Sequence, residues 1–219
     1  MEKPGAFRRG MLKSAVVNAR EFPWRREHDR FAVLIGELLL QRTRGEHVEA
    51  VYRDFMKRWP TPARLARARV PSVERVVVQL GLRKRAAVLV EIGRRLDQMG
   101  HVPSDPDELL LLPGVGPYVA NSVAVFAEGR NLPLVDWVIA RVLRRYFGLP
   151  GQRRPNSDRE LWEFAAGLAG PGRARELWLG TLDFAAAVCK PRPHCAECPL
   201  RKSCSSSEGF LSSVQGRIA

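Results

Sequence analysis

The sequence holds 219 residues, 45% of them apolar and 27% charged, which is ordinary for a globular protein with a sizeable buried core. No segment approaches the run of about 18 apolar residues that a membrane-spanning helix needs. The basic N-terminus lacks the continuous apolar stretch of a secretion signal, so a cytoplasmic protein is expected. Charge is the unusual feature: 36 Lys and Arg against 23 Asp and Glu give +13. Such an excess favours a polyanionic partner, because each phosphate neutralised releases condensed counterions. Ribosomal and membrane-surface proteins share this property, so charge alone does not identify the polyanion.

Along the chain, helical patterning dominates. Segment 29–40, DRFAVLIGELLL, is apolar nearly all round and predicts a helix buried on most sides, with one acid, Glu37, inside it. From His47 to Trp59, Val48, Val51, Tyr52, Phe55 and Trp59 recur at three- and four-residue steps, one face of an amphipathic helix. Pro60-Thr61-Pro62 interrupts the pattern, which resumes over 84–98. Ser104 is placed to cap a helix running to Leu111, with Pro106 in its first turn. Stretches 117–129, 136–147 and 173–188 carry similar periodicity, and Ser157-Asp158-Arg159-Glu160 forms a capping box ahead of Leu161. No run alternates with period two and no repeat is visible. An all-α chain is expected.

Four groups of residues could carry chemistry. Leu112-Pro113-Gly114-Val115-Gly116 lies between two predicted helices, and its glycines permit positive φ and close backbone approach. The N–H groups of the helix that follows could bind a phosphate; an ordinary helix–helix turn is the plainer reading. All four cysteines (Cys189, Cys195, Cys198 and Cys204) fall in one short segment with spacing C-x5-C-x2-C-x5-C. Four thiolates suit an iron–sulfur cluster or zinc, and the single CxxC pair counts against zinc. Asp136 precedes a predicted helix, where an aspartate is most often an N-cap; a carboxylate there could equally stabilise a cationic sugar. Glu37 should be desolvated in its apolar helix, which raises a carboxyl pKa and suits a proton donor, unless one of the many arginines pairs with it.

Several of these segments together are similar to one known family. LPGVGPYVANSVAVFA resembles the helix–hairpin–helix of the endonuclease III superfamily, and Val135-Asp136 followed by Arg141-Val142-Leu143-Arg144-Arg145 resembles its invariant-aspartate segment. The four cysteines resemble its C-terminal iron–sulfur loop, although the first gap is one residue shorter here. Phe22-Pro23-Trp24-Arg25, Glu37 through Thr43 (ELLLQRT) and Trp178 through Cys189 resemble the adenine and thymine mismatch branches. Nearly the whole chain is covered, in the right order.

The resemblance implies an all-α, two-lobed helix–hairpin–helix DNA glycosylase fold with a C-terminal [4Fe–4S] cluster loop. Residues 28–130 would form a helical barrel domain, and residues 1–27 with 131–219 the cluster domain. Cys189, Cys195, Cys198 and Cys204 would hold the cluster, and Leu112, Gly114, Val115 and Gly116 would grip a DNA phosphate, with a monovalent cation at the hairpin. Gln41 and Arg42 would fill the hole left by a flipped base, and Lys190 and Arg192 would meet phosphate from the cluster loop. Asp136 would support the sugar, and Glu37 would protonate the base or orient water. Tyr118 stands where bifunctional relatives carry the lysine that forms a Schiff base, so a monofunctional hydrolase is implied.

The implied partner is double-stranded DNA bearing a mismatched or damaged base, bound by a monomer associated with the nucleoid. Tyr118 and the LLLQRT segment favour thymine or uracil opposite guanine. Adenine opposite oxidised guanine or guanine is the alternative, although relatives of that kind carry a further C-terminal domain and only residues 205–219 follow Cys204 here. A catalytically silent DNA-binding iron–sulfur protein is the alternative of another class. Retention of both Asp136 and Glu37 argues against it, since phosphate binding needs neither.

Overall fold

A computed structural model describes residues 2–151, 154–170 and 172–207. Among them the chain forms eleven α-helices and short 3-10 turns, with no strand. The helices are α1 (Glu2–Val17), α2 (Arg30–Leu40), α3 (Gly45–Arg58), α4 (Pro62–Ala66), α5 (Val70–Val77) and α6 (Ala86–Met99). They continue with α7 (Pro106–Leu109), α8 (Pro117–Glu128), α9 (Trp137–Phe147), α10 (Arg159–Ala169) and α11 (Ala174–Ala187). No helix among the described residues is long and apolar enough to cross a membrane.

The chain divides into two compact units, Glu21–Gly129 and the pair of segments Met1–Arg20 and Arg130–Ala219. The first break falls earlier than the expected boundary at 27/28, so the Phe22-Pro23-Trp24-Arg25 segment belongs with the helices it packs on.

In the unit 21–129, α2 is the central helix. Every residue from Phe31 to Leu39 is buried, Glu37 included, as its all-round apolar pattern requires. Asp29 caps it by accepting a hydrogen bond from the Ala32 N–H at 2.8 Å. Phe22 and Trp24, on either side of Pro23, are buried and stacked with ring centroids 4.8 Å apart. They leave no room beside two glycines: a Cβ on Gly36 would lie 2.8 Å from Trp24 Cβ, and one on Gly45 2.8 Å from Phe22 Cζ. The aromatic pair therefore pins α2 and the start of α3. Tyr52 Oη reaches the Ala32 carbonyl at 3.3 Å, and burial, with Glu27 and Asp29 nearby, holds its phenol well above the ordinary range.

In the other unit, α1 lies along α11 so closely that a Cβ on Gly180 would sit 2.0 Å from the Met11 carbonyl oxygen. Only glycine fits there. Phe7, Met11 and Trp178 are wholly buried, and Trp178 Nε1 donates to the Leu132 carbonyl at 2.9 Å. Arg20 pairs with the buried Asp183 at 2.7 Å, and Arg144 with Asp158 at 2.6 Å.

Two helix starts differ from expectation by one residue. Asp105, not Ser104, caps α7 by accepting from the Asp107 N–H at 3.0 Å. Asp158, not Ser157, caps α10 by accepting from the Leu161 N–H at 3.3 Å. In both Ser-Asp pairs the carboxylate takes the cap, because a full negative charge interacts better with the helix N-terminus than a hydroxyl does.

Candidate active site and cysteine cluster

Asp136 is the N-cap of α9. Its backbone is extended, with φ of −121°, and its Oδ1 accepts the Ile139 N–H at 2.7 Å. The plain N-cap role is therefore real, and it also fixes the carboxylate in one orientation. Although the residue keeps some exposed surface, desolvation pushes its pKa above the ordinary carboxylate range. Backbone N–H groups of Ile139 and Val138 and the charge of Arg141 pull the other way without prevailing. A carboxylate that is held rigidly and poorly solvated interacts strongly with a developing cation.

The same helix organises the cysteine loop. Arg141 Nε donates to the Cys189 carbonyl at 3.0 Å. One turn on, Arg145 Nη1 donates to the Lys190 carbonyl at 2.6 Å and lies 3.7 Å from Cys189 Sγ, while Nη2 reaches the Pro191 carbonyl at 2.9 Å. Cys204 Sγ sits 3.5 Å from the Arg145 carbonyl oxygen. Burial lowers the Arg141 pKa, while the charges of Cys189 and Asp136 raise it. Arg141 is thus electrostatically linked to both the carboxylate and the cluster loop. Lys190 is half-buried and Arg192 exposed on the loop so fixed.

Cys189, Cys195, Cys198 and Cys204 line one cavity together with Arg145, Tyr146 and His194. Burial is the main cause pushing the Cys195 and Cys198 thiols up. Among the described residues, no group of three or more His, Cys, Asp or Glu side chains is placed to hold a metal ion. Four cysteines lining one cavity, with the Arg145 guanidinium beside Cys189 to offset thiolate charge, suit an iron–sulfur cluster, and the single CxxC pair counts against zinc.

At the hairpin, Gly114 takes the left-handed φ of +76°, but Gly116 does not: it is the N-cap of α8 at φ −109°. What Gly116 supplies is space, since a Cβ there would meet nothing within 4 Å. Leu112 and Val115 are buried, and the Val115 N–H bonds back to the Leu112 carbonyl at 3.3 Å. Their side chains serve the core, and any contact they make with a ligand runs through the backbone. Proline at the first position of α8 removes one donor and pre-sets the helical φ. Tyr118, half-buried in that first turn, offers a phenol and no amine.

Gln41 ends α2 and donates from Nε2 to the Gly114 carbonyl at 3.2 Å, so the structure brings this residue to the hairpin. Arg42 follows in the left-handed region with φ of +64°, a conformation that costs a non-glycine residue roughly 1–2 kcal/mol. Arg85 Nη1 donates to the Leu38 carbonyl at 3.2 Å, and burial together with the charge of Arg42 lowers its pKa. Two guanidiniums held in mutual repulsion beside Gln41 suit a polyanion. Arg85 was not singled out from the sequence because it lies in a run of three basic residues, Arg83-Lys84-Arg85, that pattern alone does not separate. Arg141 and Arg145 did carry a signal, the four-residue spacing that places both on one face of α9.

The chain is 42% identical over 190 residues to the thymine/uracil-DNA glycosylase of Pyrobaculum aerophilum, covering 83% of this chain and 82% of that protein. It is 34% identical over 214 residues to the adenine DNA glycosylase of Homo sapiens, covering 91% of this chain but 39% of that longer protein. The solved structure of a thermostable thymine-DNA glycosylase superposes with a TM-score of 0.89 at 33% identity, covering 95% of this chain and 98% of the other. Residues 35–166 match the profile of the HhH-GPD superfamily of base excision DNA repair proteins, and the chain belongs to that family.

Proposed function

We propose that this protein is a monofunctional DNA glycosylase of base excision repair, hydrolysing the N-glycosidic bond of thymine or uracil mispaired with guanine. The observation that carries the substrate class is the 42% identity to a thymine/uracil-DNA glycosylase over more than four-fifths of both chains. The observation that supports the chemistry is Asp136, fixed by its N-cap bond in a poorly solvated setting.

Backbone N–H groups of the 114–116 turn bind a phosphate, where a monovalent cation, when bound, would add positive charge, while Gln41 and Arg42 occupy the place of the extruded nucleotide. As the bond from C1′ to the base nitrogen breaks, the bonding pair leaves with the base and the sugar becomes oxocarbenium-like. The Asp136 carboxylate stabilises that cation, and water adds to C1′ and passes its proton to Asp136 and then to solvent. Glu37, buried in α2, donates a proton to the departing base or orients the water. Tyr118 cannot form an imine with the sugar, so the product is an abasic site and the strand stays intact.

Cys189, Cys195, Cys198 and Cys204 would hold a [4Fe–4S] cluster. When bound, that group supplies a rigid thiolate framework rather than a redox step. Arg141 and Arg145 hold the loop in place, and Lys190 and Arg192 on it face a phosphate. Purified protein should be brown, and a colourless zinc protein would overturn this assignment.

A panel of end-labelled duplexes tests the reading: T·G, U·G, adenine opposite oxidised guanine, and A·G. Alkali-labile sites should form first in T·G and U·G. The relation to adenine DNA glycosylases makes the two adenine duplexes the necessary controls, and faster cleavage there would transfer the assignment to adenine. Borohydride trapping of the unaltered protein on T·G should yield no covalent complex.

A further inference from the structure

Trp137 directly follows Asp136 and is the first residue of α9. It is 66% exposed, whereas Trp24, Trp59 and Trp178 are 5%, 8% and 0% exposed. The fifth, Trp162, is half-buried with Nε1 bonded to the Pro155 carbonyl at 2.9 Å. An indole offers about 150–250 Å² of surface for burial, so leaving most of one in water forfeits folding stability. The α9 sequence does not neglect burial elsewhere, since Ile139, Ala140, Val142, Leu143 and Tyr146 all face the core.

Position supplies the reason. Adjacent Cα atoms lie about 3.8 Å apart, so any sugar brought to the Asp136 carboxylate carries its base within reach of the neighbouring side chain. Trp137 also shares a helix face with Arg141, four residues on, which interacts electrostatically with Asp136. A flat, uncharged, exposed ring on the residue next to Asp136 suits an unstacked nucleobase and not a phosphate, and stacking is tolerant of base identity because every base has a π-face.

We propose that the exposed indole of Trp137 is the stacking platform for the base of the nucleotide extruded to Asp136. This rests on the glycosylase reading above, and it makes Trp137 a positioning residue that acts by holding the base while Asp136 meets the sugar.

The exposed Trp137 should dominate quenching of intrinsic fluorescence by acrylamide. A T·G duplex whose target sugar carries a 2′-fluorine, and so resists hydrolysis, should protect it. A duplex with a tetrahydrofuran abasic analogue, which has no base to stack, should leave it accessible. Trp137→Ala should lower single-turnover kcat/KM on T·G by roughly ten- to a hundredfold, the range expected for one lost base–aromatic stack. Its thermal midpoint should not fall, because the side chain is exposed, and Trp137→Phe should restore most of the rate. Equal protection by both duplexes, or an alanine variant within twofold of the parent enzyme, would overturn the proposal. The quenching experiment needs no hydrolysis, so it reads the platform even if the parent protein leaves every duplex of the panel intact, the outcome that would instead refute the glycosylase reading.

Discussion

Arg145→Ala removes a guanidinium that spans two carbonyls and one sulfur of the cysteine loop. Its bond to the Lys190 carbonyl, at 2.6 Å and partly shielded from solvent, is charge-assisted and contributes about 1.5–3 kcal/mol. The bond to Pro191 faces water and adds little, and the contact with Cys189 Sγ adds a fraction of a normal hydrogen bond. Together these amount to about 2–4 kcal/mol of loop closure, or a factor of roughly 30 to 1,000 in the fraction of molecules with the loop open. A cluster held by this loop, as proposed, would be lost through that open form, so its release should accelerate by a similar factor while opening stays fast relative to capture. The assay follows decay of visible absorbance and appearance of iron in a ferrous chelator, for parent protein, Arg145→Ala and Arg145→Lys. Lysine keeps the charge but cannot fork between two carbonyls, so it should fall between the other two. Release from the alanine variant within twofold of the parent rate would refute the claim that α9 holds this loop.

Asp158→Ala should lower stability in urea denaturation by about 3 kcal/mol, because it removes the carboxylate bonded to the largely buried Arg144 and uncaps α10. Gly114→Ala should destabilise by about 1 kcal/mol, since alanine is strained at positive φ and its Cβ would press on Val88 Cγ1 at 3.3 Å. Gly116→Ala should fold as the parent does, so a loss of DNA affinity in that variant would report contact with the ligand itself. The Asp136 pKa is raised in the folded state, so folding favours its protonated form. The stability this contributes is fully present below the unfolded value near 3.8 and is lost as pH rises through the raised one. Asp136→Asn should therefore match or exceed the parent in thermal midpoint at neutral pH. In the parent, the single-turnover rate should climb with pH through that same raised pKa, where the carboxylate becomes charged.

The helices with strong periodicity were legible: α2, α3, α6, α8, α9 and α11 all lie within a few residues of their expected bounds. α1 was not, although Phe7, Met11 and Ser14 share its buried face. Three buried positions among basic residues give a faint stripe, and the helix is held by contact with α11, a tertiary cause that no local window contains. α4 and α5 were not anticipated: Pro62, which reads as a breaker, occupies the first turn of α4, and Pro71 the first turn of α5, where proline is tolerated. Among the candidate residues, the cysteines stood out by their spacing, and Asp136 through the resemblance of its segment to the endonuclease III superfamily. Of the two properties expected of the hairpin glycines, Gly114 uses the positive φ and Gly116 the space, a division that sequence cannot make. Arg85 became visible only when its carbonyl partner, 47 residues away, was known; Arg141 and Arg145 share one helix face by spacing, but their carbonyl partners, 48 and 45 residues away, were not legible.

The most direct test of the central claim is single-turnover release of thymine from a T·G duplex by the parent protein and by Asp136→Asn. Loss of a preorganised charge at the reacting centre should slow release on the order of a hundredfold to a thousandfold or more. Affinity for the same duplex should stay within a few-fold of the parent. An asparagine variant that releases thymine at the parent rate would show that the bond is broken elsewhere.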